Sequence, residues 1–140
     1  QLEPKEHLVP IVVDCALNDK ALTVNGNDYK TDDGTCQRDY THVLDIAMAH
    51  VAALNFLFDG GESNVFNIGG SNTTSIKQVI AEVEKQTGGP LSAVYGPKRE
   101  GDTTTTSANI SKAQEMLGWS PSQSLETIIT SELEYAGNDR

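Results

Sequence analysis

The sequence predicts an α/β fold of the α+β kind, and three observations carry that prediction. Short apolar, β-branched runs alternate with stretches of helical periodicity. Ser75-x-x-Gln78 and Ser111-x-x-Gln114 each head a helical stretch in the pattern of a capping box. Glycine pairs at Gly60-Gly61, Gly69-Gly70 and Gly88-Gly89 punctuate the joints. With 140 residues the chain reads as one domain, 1–140. A chain of that size buries roughly 68–70% of its unfolded surface, enough for a real core.

The elements follow in order. Residues 5–18 set Leu8, Ile11, Val12, Ala16 and Leu17 at helical spacing, for a helix starting at Pro10 or just before it. Residues 22–24 form a short strand, and the Gly- and Asp-rich run 25–34 is turn chemistry. Residues 38–43 are extended or irregular. Ile46, Ala49, His50, Ala53, Leu54 and Leu57 then share one helical face, and Gly60-Gly61 stops the helix. Residues 65–68 are a short apolar strand. Ser75 opens a helix with Ile76, Val79, Ile80 and Val83 inward. Residues 91–95 and 103–107 are extended. Ser111 caps a short helix through Leu117, Trp119 plugs the core beneath the last helix, and Leu125, Ile128, Ile129 and Leu133 define that helix.

Charge narrows the function classes. The formal net charge is −10, and the pI is about 4.5. Nucleic acid and anionic membrane both require a basic face, so neither is an expected partner. The overall field also repels an anionic small molecule, which must therefore be gripped by local donors. Cys15 and Cys36 show no metal or redox spacing and read as reduced thiols of a cytoplasmic protein. The apolar start around Leu8 is broken by Pro10 and Asp14, so it is neither a signal peptide nor a membrane span. The chain begins with Gln, and is read as a piece of something longer.

Two arginine-centred clusters stand out in this acidic chain. One is Gly34-Thr35-Cys36-Gln37-Arg38-Asp39-Tyr40-Thr41-His42-Val43, and the other is Tyr95-Gly96-Pro97-Lys98-Arg99-Glu100-Gly101-Asp102. Arginine offers a planar, permanently charged fork that matches a phosphate, so one reading holds a phosphate-bearing ligand between the clusters. The plainer reading pairs Arg38 with Asp39 or another surface acid and leaves Lys98-Arg99 in a charged loop. His42 is read as structural, because His7, His42 and His50 lack metal-ligand spacing.

Catalytic signatures are missing. Gly69-Gly70-Ser71-Asn72 sits in strand–turn–helix context but lacks the third glycine of a dinucleotide motif. It is either an ordinary tight turn or a source of backbone amides for an anion. None of the four tyrosines is followed by lysine at the fourth position, since Tyr29, Tyr40, Tyr95 and Tyr135 meet Asp33, Leu44, Arg99 and Asp139 there. Asp28-x-Lys30-x-Asp32-Asp33 fails as a calcium loop, and Asp32-Asp33-Gly34 reads as a solvated turn.

The clusters, in this order with a strand–glycine–helix unit between them, resemble the C-terminal half of UDP-glucose 4-epimerases, in the extended short-chain dehydrogenase/reductase superfamily. The matching text runs from Pro4-x-x-His7-Leu8-x-Pro10 through Gly26-Asn27-Asp28-Tyr29 and Arg38-Asp39-Tyr40-x-His42-Val43-x-Asp45. It continues with Phe66-Asn67-Ile68-Gly69, Lys98-Arg99-x-Gly101-Asp102, Ser111-Lys112-Ala113 and Leu117-Gly118-Trp119. The resemblance implies a substrate-binding domain carrying the last elements of a Rossmann-like sheet, to which residues 65–68 and the helix 45–58 belong. It implies that Arg38 and Arg99 take the phosphates of a UDP-hexose and that Asp102 accepts from the ribose. Tyr40 and Asn72 then line the site, and Thr23, Val24 and Asn25 pass alongside the uracil. This chain departs from the family at Asn25, where an aromatic residue is frequent, and at Asn72, where an apolar contact is common. In the whole enzyme NAD takes and returns a hydride at C4 of the sugar. By the same resemblance this chain alone binds no cofactor and catalyses nothing. Its missing N-terminal half, or a second copy, covers exposed apolar surface.

Overall fold

The computed structural model describes residues 7–70 and 72–138. These form α1 (Leu8–Leu17), β1 (Leu22–Asn25), β2 (Gln37–Arg38), α2 (Val43–Phe58), β3 (Thr74–Ser75), α3 (Ile76–Thr87), β4 (Ala93–Gly96), β5 (Thr105–Thr106), α4 (Ser111–Leu117) and α5 (Leu125–Asn138). The mixed α/β class read from the sequence holds. Pro4, residues 5 and 6 of the expected first helix, and Ser71 of the glycine turn lie outside the described residues.

Two apolar clusters organise the chain. The larger joins α1, β1, α3 and α5 through Val12, Val13, Leu22, Val24, Val79, Val83 and Ile129. The α3 stripe of Ile76, Val79, Ile80 and Val83 is buried as its spacing predicts. Its capping box is complete: Gln78 N donates to Ser75 Oγ at 3.1 Å, and Ser75 N donates to Gln78 Oε1 at 2.8 Å. Gly88, at φ 76°, takes the left-handed cap that ends α3. The smaller cluster joins α2 to α4 through Ala49, Ile110, Ala113 and Trp119.

The strands make two small sheets. β1 pairs in parallel with β4, from Leu22↔Ala93 to Asn25↔Gly96. β2 lies between β3 and β5, antiparallel to the first and parallel to the second.

Three expectations are corrected. Residues 65–68 form no ladder: Phe66 and Ile68 pack inward while Val65 is 80% exposed, so the alternation of a strand is there without a neighbour to pair with. Ser111 is not a cap. Ile110, anchored in the smaller cluster, is the N-cap residue, and Asn109 Oδ1 accepts from Ser111 N at 3.0 Å. Trp119 plugs the α2–α4 cluster rather than the space beneath α5, and its indole Nε1 donates to Asp45 O at 3.0 Å. The shared apolar face of α2 is largely open: Ala49 is buried, but Ile46, Leu54 and Leu57 are exposed. That helix carries apolar residues nearly all round, so periodicity alone could not say which side faces the core.

His42 is structural, as expected. It caps α2 by accepting from Leu44 N at Nδ1, 3.1 Å away. That bond leaves Nε2 to carry the proton and donate to Ser131 Oγ on α5 at 2.9 Å.

Candidate functional site

Each arginine is delivered by a pair of strands. The β1–β4 register carries the chain beyond Gly96 back along the turn that follows Asn25, and this brings Arg99 beside Asn25. Lys98 pins that loop: its Nζ donates to Asp28 O at 2.9 Å, lies 3.2 Å from Asp28 Oδ1, and sits 4.7 Å above the Tyr29 ring. Gly26 permits the approach, because a Cβ there would stand 2.6 Å from Tyr29 Cε2 and 2.7 Å from Lys98 Cγ. Arg38 ends β2 opposite Thr106 of β5. Its Nη1 donates to Gln37 O at 2.7 Å and to Thr103 O at 3.1 Å.

These deliveries converge. Thr23, Val24, Asn25, Arg38, Tyr40, Arg99 and Asp102 all line one cavity of about 220 Å³. Leu8, Ile11, Leu22, Cys36 and Ile76 complete its wall and make one side apolar. Asn72 is not part of it. That residue is exposed and lines a neighbouring cavity of about 250 Å³ with Asp45, Gln123 and Ile128. Tyr40 borders both. The apolar wall from α1 and α3 was missed as site residues, although the helical periodicity that marked Leu8, Ile11 and Ile76 as apolar-face positions was the available signal.

Burial keeps the phenols beside the cavity protonated. Burial, with Cys36 adding and Arg38 opposing, pushes the Tyr40 phenol up to about 12. At neutral pH it is a hydrogen-bond donor, not a base. Burial and then the Asp102 charge likewise push the Tyr29 phenol up, and its buried hydroxyl has no partner among the described residues. No ion pair joins Arg38 to Asp39 among the described residues. Asp39 Oδ2 instead accepts from Ala108 N at 2.7 Å. No group of three or more His, Cys, Asp or Glu among the described residues is placed to hold a metal ion.

Asp33 corrects the expectation of a solvated turn. Its Oδ2 accepts from Ser75 Oγ, and its Oδ1 accepts from Thr35 N at 2.8 Å and Thr35 Oγ1 at 2.7 Å. Lys77 Nζ, from the second residue of α3, donates to Asp33 O at 2.7 Å. Burial raises the Asp33 carboxyl, but those hydrogen bonds and the Lys77 charge outweigh it and leave the carboxyl below its ordinary value. The run before Arg38 is thus tied to the start of α3, and this steadies the strand that carries the arginine.

The glycine turn does not suit a dinucleotide. A Cβ on Gly69 would stand 2.4 Å from Asp39 Oδ2, and one on Gly70 would stand 2.7 Å from Tyr40 O. A carboxylate and a carbonyl occupy the place where a pyrophosphate would need donors, so these glycines serve close backbone approach.

A family model described as GDP-mannose 4,6 dehydratase matches residues 3–131. The chain belongs to that family. Within the GDP-mannose 4,6 dehydratase family, its similarity to UDP-glucose 4-epimerases is borne out. It is 45% identical over 130 residues to the UDP-glucose 4-epimerase of Rhizobium meliloti, covering 92% of this chain and 40% of that protein. The Stenotrophomonas maltophila UDP-glucose 4-epimerase, solved with NAD and formylated UDP-arabinopyranose, superposes with a TM-score of 0.93 at 32% identity, over 99% of this chain and 42% of that one. The Bifidobacterium longum enzyme, solved with NAD+ and UDP, gives a TM-score of 0.85 at 33% identity, over 95% of this chain and 40% of that one. The chain therefore spans about 40% of the length of such relatives. No helix among the described residues is long and apolar enough to cross a membrane.

Proposed function

We propose that this chain is the UDP-sugar-binding portion of an NAD-dependent UDP-hexose 4-epimerase. The observation that carries the reading is the cavity shared by Arg38 and Arg99, which lie far apart in sequence. Two guanidinium forks at one hollow answer the two charges of a diphosphate. At an effective dielectric of 20, a unit-charge pair 4 Å apart gains about 4 kcal/mol before desolvation. That local gain offsets the repulsion expected from the net charge of −10. Beside the arginines, Thr23, Val24 and Asn25 offer a strand end to the base, and Asp102 offers an acceptor to the ribose. Tyr40 offers a phenol donor. Asn72, on the neighbouring cavity, would meet the ligand only beyond Tyr40.

The cavity is small for a complete ligand site, since such pockets typically hold about 300–1,000 Å³. That fits a site whose other wall lies elsewhere. Relatives solved with NAD and with UDP-sugar or UDP support assigning the hydride chemistry to the rest of a longer protein. In that protein this chain would supply remote binding energy that holds the sugar for reaction. The exposed apolar side of α2 supports the same reading. It would be covered by the missing half, or in its absence by a second copy.

Calorimetry tests the reading with UDP and UDP-glucose. Both are expected to bind the chain. Arg38→Ala and Arg99→Ala are each expected to weaken binding at least tenfold, a loss of about 1.4 kcal/mol, with helix content unchanged by circular dichroism. Full binding by both variants would show that the cavity is not a diphosphate site. It would leave the chain as a non-catalytic interaction module acting through α2.

A further inference from the structure

We infer that Asn25 is a positioning residue for Arg99, holding one edge of its guanidinium so that the other edge faces a phosphate in the cavity beside β1. The inference rests on the UDP-sugar reading above. With its carboxamide oxygen turned toward Arg99, Asn25 accepts from Nε at 3.0 Å and from Nη2 at 3.1 Å. Those two donors share one edge of the planar group. The remaining N–H groups, on Nη1 and the far side of Nη2, form a second fork, which is the geometry that grips a phosphate with two parallel bonds.

Arg99 itself needs such a hold. Its residue is exposed, and a free arginine there would sample many rotamers. The backbone of its loop is already pinned next door by Lys98 on Asp28 and Tyr29. Asn25 fixes what Lys98 does not, the direction of the guanidinium. Its own place is secure, because it ends β1, is half-buried and pairs with Gly96 of β4. The chemistry of the acceptor matters too. A carboxylate at this position would hold the arginine but cancel its charge, whereas an amide oxygen orients the cation and leaves it cationic.

The test combines side-chain NMR of the ligand-free chain with UDP titration. In the wild type, the Arg99 Nε–H is expected to be ordered and slow to exchange. It should become mobile in Asn25→Ala and stay ordered in Asn25→Asp. Asn25→Ala is expected to weaken UDP binding about tenfold, with no further loss once Arg99→Ala is present. Asn25→Asp should weaken UDP while keeping Arg99 ordered, a combination that simple damage to the strand would not give. A mobile Arg99 in the wild type overturns the inference, as does an equal loss from Asn25→Ala in both backgrounds. An ordered, Asn25-dependent Arg99 in a chain that binds no UDP upholds the positioning contact and overturns the UDP-sugar reading instead.

Discussion

α3 and α2 both carry an apolar face, yet they end in opposite situations. α3 buries Ile76, Val79, Ile80 and Val83 against α1, β1 and α5 and turns its Glu, Lys and Gln residues outward. α2 buries only Asp45 and Ala49 among its residues and leaves Val43, Leu44, Met48, Val51, Leu54 and Phe58 in the open. α3 is amphipathic and finds a partner for its single apolar stripe, whereas α2 is apolar nearly all round and has too little of this chain to pack against. α3 owes its place to packing within this chain. α2 is held by its ends and by one short seam: the His42 cap, the Asp45 carboxylate and the Ala49–Trp119 contact. An apolar helix held so lightly is either half of a larger core or a surface for association.

The sharpest break of the comparison is a pair of truncations. Ile80→Ala, at a buried site of α3, is expected to cost about 3 kcal/mol, while Leu54→Ala, on the open face of α2, should stay within about 0.5 kcal/mol. Chemical denaturation measures both. Equal losses would mean that α2 packs as tightly as α3.

The next effect concerns the seam. Asp45 accepts from Ser122 N at 2.9 Å, from Ser122 Oγ at 3.0 Å and from Gln123 N at 3.1 Å. Burial raises its carboxyl, but these bonds and the nearby His42 outweigh that and leave it below the ordinary value. A carboxyl lowered by folding stabilises the protein above its unfolded value, and that stability fades as pH falls through the folded one. Asp45→Asn is therefore expected to cost about 2 kcal/mol at neutral pH. It should also flatten the stability loss seen below about pH 4 in the wild type. An unchanged acid limb would show that other carboxylates, Asp33 first, carry it.

The smallest effect on stability carries the most information about association. Val51→Glu together with Leu54→Glu should change unfolding free energy by less than about 1 kcal/mol. The wild-type chain is expected to self-associate with rising concentration in light scattering, and this double variant should stay monomeric. A wild type that is monomeric throughout would remove the second-copy role.

What the sequence made legible follows the same division. Where polar and apolar residues alternate with a clear period, as in α3 and α5, both the element and its buried side could be read. The α3 cap could be read because Ser75 and Gln78 satisfy each other locally. The cluster around Arg38 drew attention because arginine in an acidic chain invites an anion, and the structure puts Arg38 and Arg99 on one cavity. What could not be read depends on distant partners. Residues 65–68 have the composition of a strand, but a ladder needs a neighbour, and none pairs with them here. Asp33 looked like turn chemistry because its acceptors are filled by Ser75, far along the chain. Asn72 was grouped with the arginines by motif order, yet the glycine turn directs it to the other side of Tyr40.

The parallel pairing of β1 with β4 has a consequence for timing. Leu22 meets Ala93 across a long intervening stretch with two helices, so this pairing is expected to form late in folding. The hollow that gathers the guanidinium groups would then be finished late, too late for a nucleotide to guide its assembly. A diphosphate would act on the end of the folding route alone, slowing escape from the completed state and leaving the climb toward it untouched.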